Sequence, residues 1–171
     1  GGAVHDFHIH DLDVLNWLFG SPEMVSTHGC RGPYGGWDRV VTTLEYGGVN
    51  ATAEADILLP TGYPFTMALR VVCTRGTVEF IHRGSGDQID AGPDPDSGVT
   101  VYPEQGDSYR LPRLEGRTAY TLQAEAFVEA AQAGRPPQQS GLEEAHLAVR
   151  TALAARESVE EGRPVRLAST R

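Results

Sequence analysis

The stretch His5-Asp6-Phe7-His8-Ile9-His10-Asp11-Leu12-Asp13-Val14-Leu15-Asn16-Trp17-Leu18-Phe19-Gly20 gathers groups that can move protons or hold a cation. It contains His5, His8 and His10, half of the six histidines in the chain, together with Asp6, Asp11 and Asp13. Wound as a helix at about 100° per residue, it lines up Asp6, His10, Asp13 and Trp17 on one stripe. Phe7, Ile9, Leu12, Val14, Leu15, Leu18 and Phe19 take most of the remaining circumference. A helix apolar nearly all round is expected to be buried. Buried polar groups need partners, so the stripe is expected to face a polar network or a cleft. Gly20 is placed to end the helix, and Pro22 bars its continuation.

Two kinds of chemistry fit these residues. In the first, His10 is a general base, and Asp6, one turn earlier, orients and polarises it. In the second, the histidines ligate a metal. Zinc sites on helices use His pairs four apart on one face. His5, His8 and His10 instead point about 100° and 200° away from one another, which argues against a shared ion. A third possibility is a satisfied Asp6/His10 pair with no chemistry. Spacing alone does not separate it from the first.

The wider pattern Asp6-x-x-Ile9-His10-Asp11-x-Asp13-Val14-Leu15-x-Trp17-Leu18-x-Gly20, preceded by Gly1-Gly2, resembles the catalytic helix of the glucose–fructose oxidoreductase/inositol dehydrogenase family. These are NAD(P)-dependent sugar and polyol dehydrogenases. The resemblance implies that Asp6 is a substrate-facing carboxylate and His10 the general base. Val72-Cys73-Thr74-Arg75-Gly76-Thr77-Val78-Glu79 resembles a sheet hairpin of that family, with Cys73 where a small residue is usual. Phe127 through Leu167, with Gly134, Pro136, Ser140, Ala155, Ser158, Gly162 and Val165, resembles its terminal helices and last strand.

The elements that must position the first helix follow in order. Met24 to Tyr34 reads as a strand or extended segment. Trp37 to Tyr46 and Val49 to Leu59 form a hairpin across Gly47-Gly48. In the second arm Val49, Ala51, Ala53, Ala55 and Ile57 alternate with Asn50, Thr52, Glu54 and Asp56, giving one packed and one polar face. The alanines suit a closely packed helix. Phe65 to Cys73 and Gly76 to His82 form a second hairpin around Arg75-Gly76. Arg83 to Gly98 is turn and loop, and Asp87, Asp90, Asp94 and Asp96 lack the order of a calcium loop. Val99 to Tyr102 and Ser108 to Leu111 are short edge strands. Ala119 to Gly134 is an amphipathic helix. Ser140, with Glu143 as its capping box, opens another that runs to about Gly162, and Arg163 to Leu167 is a last strand. This order defines an α+β domain with an open, mostly antiparallel sheet and helices on one face. The expectation is a single domain over residues 1–171.

The net charge of -9 disfavours nucleic acid and anionic membranes as partners. All 14 cationic side chains are Arg, so no lysine chemistry is available. No apolar run approaches the roughly 18 residues of a membrane span, and no signal peptide is evident. Cys30 and Cys73 have no metal or disulfide spacing, so a reducing cytoplasm is the expected compartment. No Gly-rich strand–turn–helix for a dinucleotide occurs. The resemblance therefore implies a C-terminal substrate and oligomerisation domain, with NAD or NADP bound mainly by an N-terminal domain outside this chain. The expected substrate is a sugar or polyol, and the expected state a homodimer or homotetramer through the sheet face. The fragment alone is expected to be inactive. The alternative is a non-catalytic binding or scaffold domain of the same fold.

Overall fold

Alternation is the strongest signal in the chain, and the strands follow it. Along Trp37–Tyr46 the side chains of Asp38, Val40, Thr42, Leu44 and Tyr46 are buried, with Arg39, Thr43 and Glu45 exposed between them. The computed structural model describes residues 2–33, 35–84, 97–112, 118–137 and 139–167. They group into two compact units, 1–59 with 125–171, and 60–124.

The first unit holds a four-stranded antiparallel sheet. Its strands are β1 (Met24–Arg31), β2 (Trp37–Tyr46), β3 (Val49–Asp56) and β8 (Val165–Arg166), in the order β3-β2-β1-β8. β2 and β3 pair from Tyr46↔Val49 to Arg39↔Asp56 across the Gly47-Gly48 turn, where both glycines take positive φ (47° and 111°), as a two-residue hairpin demands. A π-helical turn (Val4–His8) leads into helix α1 (Ile9–Phe19). This helix and α3 (Leu142–Glu161) pack on each other and on the sheet. Ala53 and Ala55 of β3 are buried where the π-helical turn and α1 approach, so the small side chains do set a close helix. Ala3, Val4, Val40 and Ala55 form a core cluster backed by Trp37 and Ile57.

Two buried polar chains tie these layers. Asn16 Nδ2 of α1 donates to Thr151 Oγ1 of α3 at 3.0 Å, Tyr46 Oη of β2 donates to Asn16 Oδ1 at 3.1 Å, and Thr151 Oγ1 donates to Leu147 O at 2.9 Å. Burial holds the Tyr46 hydroxyl well above the usual phenol range. In the other chain the Thr27 N–H donates to Ser158 Oγ at 2.9 Å, and Ser158 Oγ donates to Arg163 O at 2.7 Å. Thr27 Oγ1 and Thr42 Oγ1 also lie 3.0 Å apart.

The second unit is an antiparallel meander of β4 (Phe65–Cys73), β5 (Gly76–Gly84), β6 (Gly98–Pro103) and β7 (Tyr109–Arg110). Cys73 pairs with Gly76, so the turn is Thr74-Arg75 and Gly76 already belongs to β5. Its φ is +148°, and a Cβ there would meet the Tyr102 carbonyl oxygen of β6, which is why only glycine fits. Helix α2 (Ala119–Gln132) runs from this unit into the first. Its start is held by Thr118 Oγ1, which accepts the Thr121 N–H at 3.1 Å.

The α+β class and the antiparallel pairing are as the sequence predicts, with the strands divided four and four. β1 covers Met24–Arg31 of the segment read as strand or extended, and its register against β2 shifts between Cys30 and Arg31, where Asp38 is passed over. Another expectation is corrected. The Ser140–Glu143 capping box does not form. Ser140 sits at φ 54°, Gly141 takes the extended N-cap position, and no side chain caps α3. A left-handed Ser140 lies one residue too early for its hydroxyl to reach the first turn. The acidic loop read between Arg83 and Gly98 has residues 85–96 outside the described residues.

Candidate active site on the first helix

The first helix is one-sided, and the expectation that it is buried all round fails. His8, Leu12, Leu15 and Asn16 form its inner face, four and three residues apart. Phe7, Val14, Trp17 and Leu18 are 41%, 40%, 70% and 38% exposed. The reason is geometric. The sheet and α3 cover one side of the helix.

The Asp6/His10/Asp13/Trp17 stripe lies on the uncovered side. Asp6, His10 and Trp17 are exposed and Asp13 is half-buried. The stripe therefore faces outward, and among the described residues it meets neither a buried network nor an enclosed cleft. No hydrogen bond or ion pair joins Asp6 to His10 among the described residues. The carboxylate that feels His10 is Asp13. Its pKa is raised above the usual carboxylate range, first by burial and also by Glu144, while His10 pulls it back down.

His8 anchors the motif from its buried side. It is fully buried, its Nε2 lies 2.7 Å from Thr42 Oγ1, and its Nδ1 lies 3.7 Å from Asp11 Oδ2. His8 ends the π-helical turn that carries Asp6, and α1 begins with Ile9 and His10. A π turn closes its hydrogen bonds over five residues instead of four and is common at functional sites. It shifts Asp6 around the axis from the stripe that an unbroken α-helix would give. The signal for His8 was its place among Leu12, Leu15 and Asn16, a buried face at helical spacing.

Among the described residues no group of three His, Cys, Asp or Glu could hold a metal ion. The start of α3 carries Glu143 and Glu144 in its first turn, the wrong charge for a phosphate.

With this geometry in place, the comparisons give the class. Residues 1–167 match the Gfo/Idh/MocA model, described as "Oxidoreductase family, C-terminal alpha/beta domain". The chain belongs to that family. Among solved structures, the aldose-aldose oxidoreductase from Caulobacter crescentus complexed with glycerol superposes with a TM-score of 0.77 at 19% identity, covering 98% of this chain and 48% of that one. UDP-N-acetylglucosamine 3-dehydrogenase GnnA from Acidithiobacillus ferrooxidans gives 0.73 at 20% identity, covering 93% and 48%. The WlbA dehydrogenase from Bordetella pertussis, complexed with NADH and UDP-GlcNAcA, gives 0.71 at 16% identity, covering 99% and 46%. The chain thus spans about half the length of the solved structures it matches. No curated protein matches it in sequence. No described helix is long and apolar enough to cross a membrane.

Proposed function

We propose that residues 1–171 are the C-terminal substrate-binding and oligomerisation domain of a NAD(P)-dependent dehydrogenase that oxidises a secondary alcohol of a sugar or polyol, in the manner of an inositol dehydrogenase. The observation that supports this most is the placement of Asp6 and His10. Both are solvent-facing on a helix whose other side is pinned by His8, Leu12, Leu15 and Asn16. A rigid backing with exposed acid–base groups is what a substrate-facing element requires.

In this reading NAD or NADP, held mainly by another domain of the intact enzyme, would supply the acceptor for the hydride that leaves the carbinol carbon. His10 accepts the hydroxyl proton as the ketone forms. Asp6 accepts a hydrogen bond from a neighbouring hydroxyl. The isolated chain is inactive.

Measuring kcat and thermal stability on one His10→Ala preparation of the intact enzyme tests this. General-base removal typically costs about 10²–10⁴-fold in rate. A loss of that order with an unchanged melting temperature supports the assignment. Wild-type kcat rules out His10 as the base.

A further inference from the structure

A second constellation lies at the start of the π-helical turn. His5, Arg31, Gly36, Trp37, Arg156 and Glu160 line a cleft of about 160 Å³ within the first unit. Small-molecule sites typically run to about 300–1,000 Å³, so this one suits a single functional group.

Its polarity runs against that of the chain. With a net charge of -9, free carboxylates are plentiful, yet Arg31 has no carboxylate partner among the described residues. The register of β1 against β2 shifts between Cys30 and Arg31, where Asp38 of β2 is passed over and Arg31 pairs with Trp37. Here the Arg31 guanidinium lies over the Trp37 ring, 4.6 Å from its centroid. Stacking holds the fork flat and leaves its in-plane N–H groups available. Arg156 gives its Nε–H to Glu160 at 2.9 Å, and a guanidinium has five N–H donors in all. His5 lies close enough to Arg156 that burial and this cation together hold its imidazole below the usual histidine range.

We infer that this cleft binds a small oxyanion, a phosphate or carboxylate group, held by the Arg31 and Arg156 forks, with Trp37 as the platform for Arg31. Planar, bidentate recognition of such groups is the task for which arginine is best suited. The group is either a free anion or the charged end of a sugar derivative.

Fluorescence of Trp37, read in a Trp17→Phe background of the 171-residue chain, tests the inference without nicotinamide or turnover, so its outcome is separate from the dehydrogenase reading. Inorganic phosphate is titrated against sodium chloride of equal ionic strength, then glucose 6-phosphate against glucose. The expected result is a saturable change with phosphate and none with chloride or glucose. Arg31→Gln should weaken binding at least tenfold at an unchanged melting temperature. Tighter binding of glucose 6-phosphate than of phosphate assigns the site to a pendant group, and equal affinities assign it to the free ion. No saturable change with either phosphate, or equal affinity in the Arg31→Gln chain, overturns the inference. Should Arg156→Gln unfold the domain, Arg31→Gln alone decides.

Discussion

His8 and His10 stand two residues apart and do opposite work. One is enclosed and bonded to Thr42, and the other faces solvent beside Asp13. Residue type and spacing made both visible, but the side each one faces depends on which surface the sheet covers, and nothing local encodes that. The same holds for Asn16, whose two bonds reach across 30 and 135 residues of sequence. Asp13 offers a test at this scale. Its native carboxyl holds a proton to higher pH than the unfolded chain does, so stability falls as pH rises from the ordinary carboxylate range through the raised native value. Above that window the ionised group is a constant cost. Asp13→Asn should therefore raise the melting temperature at pH 7 and leave it unchanged near pH 3. The gain is on the order of 1–2 °C, because substitutions at such partly exposed sites are worth within about 0.5 kcal/mol and 1 kcal/mol moves Tm by about 2–4 °C. Differential scanning calorimetry at the two pH values checks it.

At the scale of elements, the strands were the most legible part. β2 and β4 run over the residues that alternation and turn signals mark out, because a period of two with a Gly-Gly or Thr-Arg turn leaves one register that buries the apolar face. Helix ends were less legible. The Ser140 cap failed because cap identity rests on a backbone angle that the residue type only biases. The π-helical turn has no compositional mark at all. The Asn16 chain is expected to carry much of the fit between α1, β2 and α3. Asn16→Ala leaves the Tyr46 hydroxyl and Thr151 without a shared partner, at a cost of roughly 1–3 kcal/mol. Chemical denaturation should show a lower midpoint with an unchanged slope, and no loss of stability would remove the network from the account of the fold.

At the scale of the whole molecule, the register of the second sheet has a consequence for assembly. Phe65, Met67, Leu69 and Val71 alternate onto one face of β4, and their partners on β5 include Phe80 and Val78. Val99 and Val101 continue that face on β6. No residue of these four strands is fully buried, and Phe65 and Met67 are 44% and 43% exposed. An apolar face of this extent marks an interaction surface, and self-association through it fits the homo-oligomer we propose. Met67→Asp should shift the mass seen by light scattering toward the monomer. A wild-type chain that is monomeric at high concentration would refute the interface. The same preparation should show no saturable NAD or NADP binding at millimolar concentration in calorimetry, since the sequence has no Gly-rich strand–turn–helix to hold a pyrophosphate.

The wide turn ahead of α1 makes the motif sensitive to chain length. His8 is held to Thr42, so it stays in place when the segment before it is altered. Deleting Phe7 would let the turn tighten into ordinary α-helix and rotate everything upstream by about 100° about the axis. Asp6 would swing around the helix while His10 stayed where it is. Conservative substitutions along this segment are thus a milder perturbation than a single-codon deletion, which would change the angle between Asp6 and His10 about the helix axis without removing either of them.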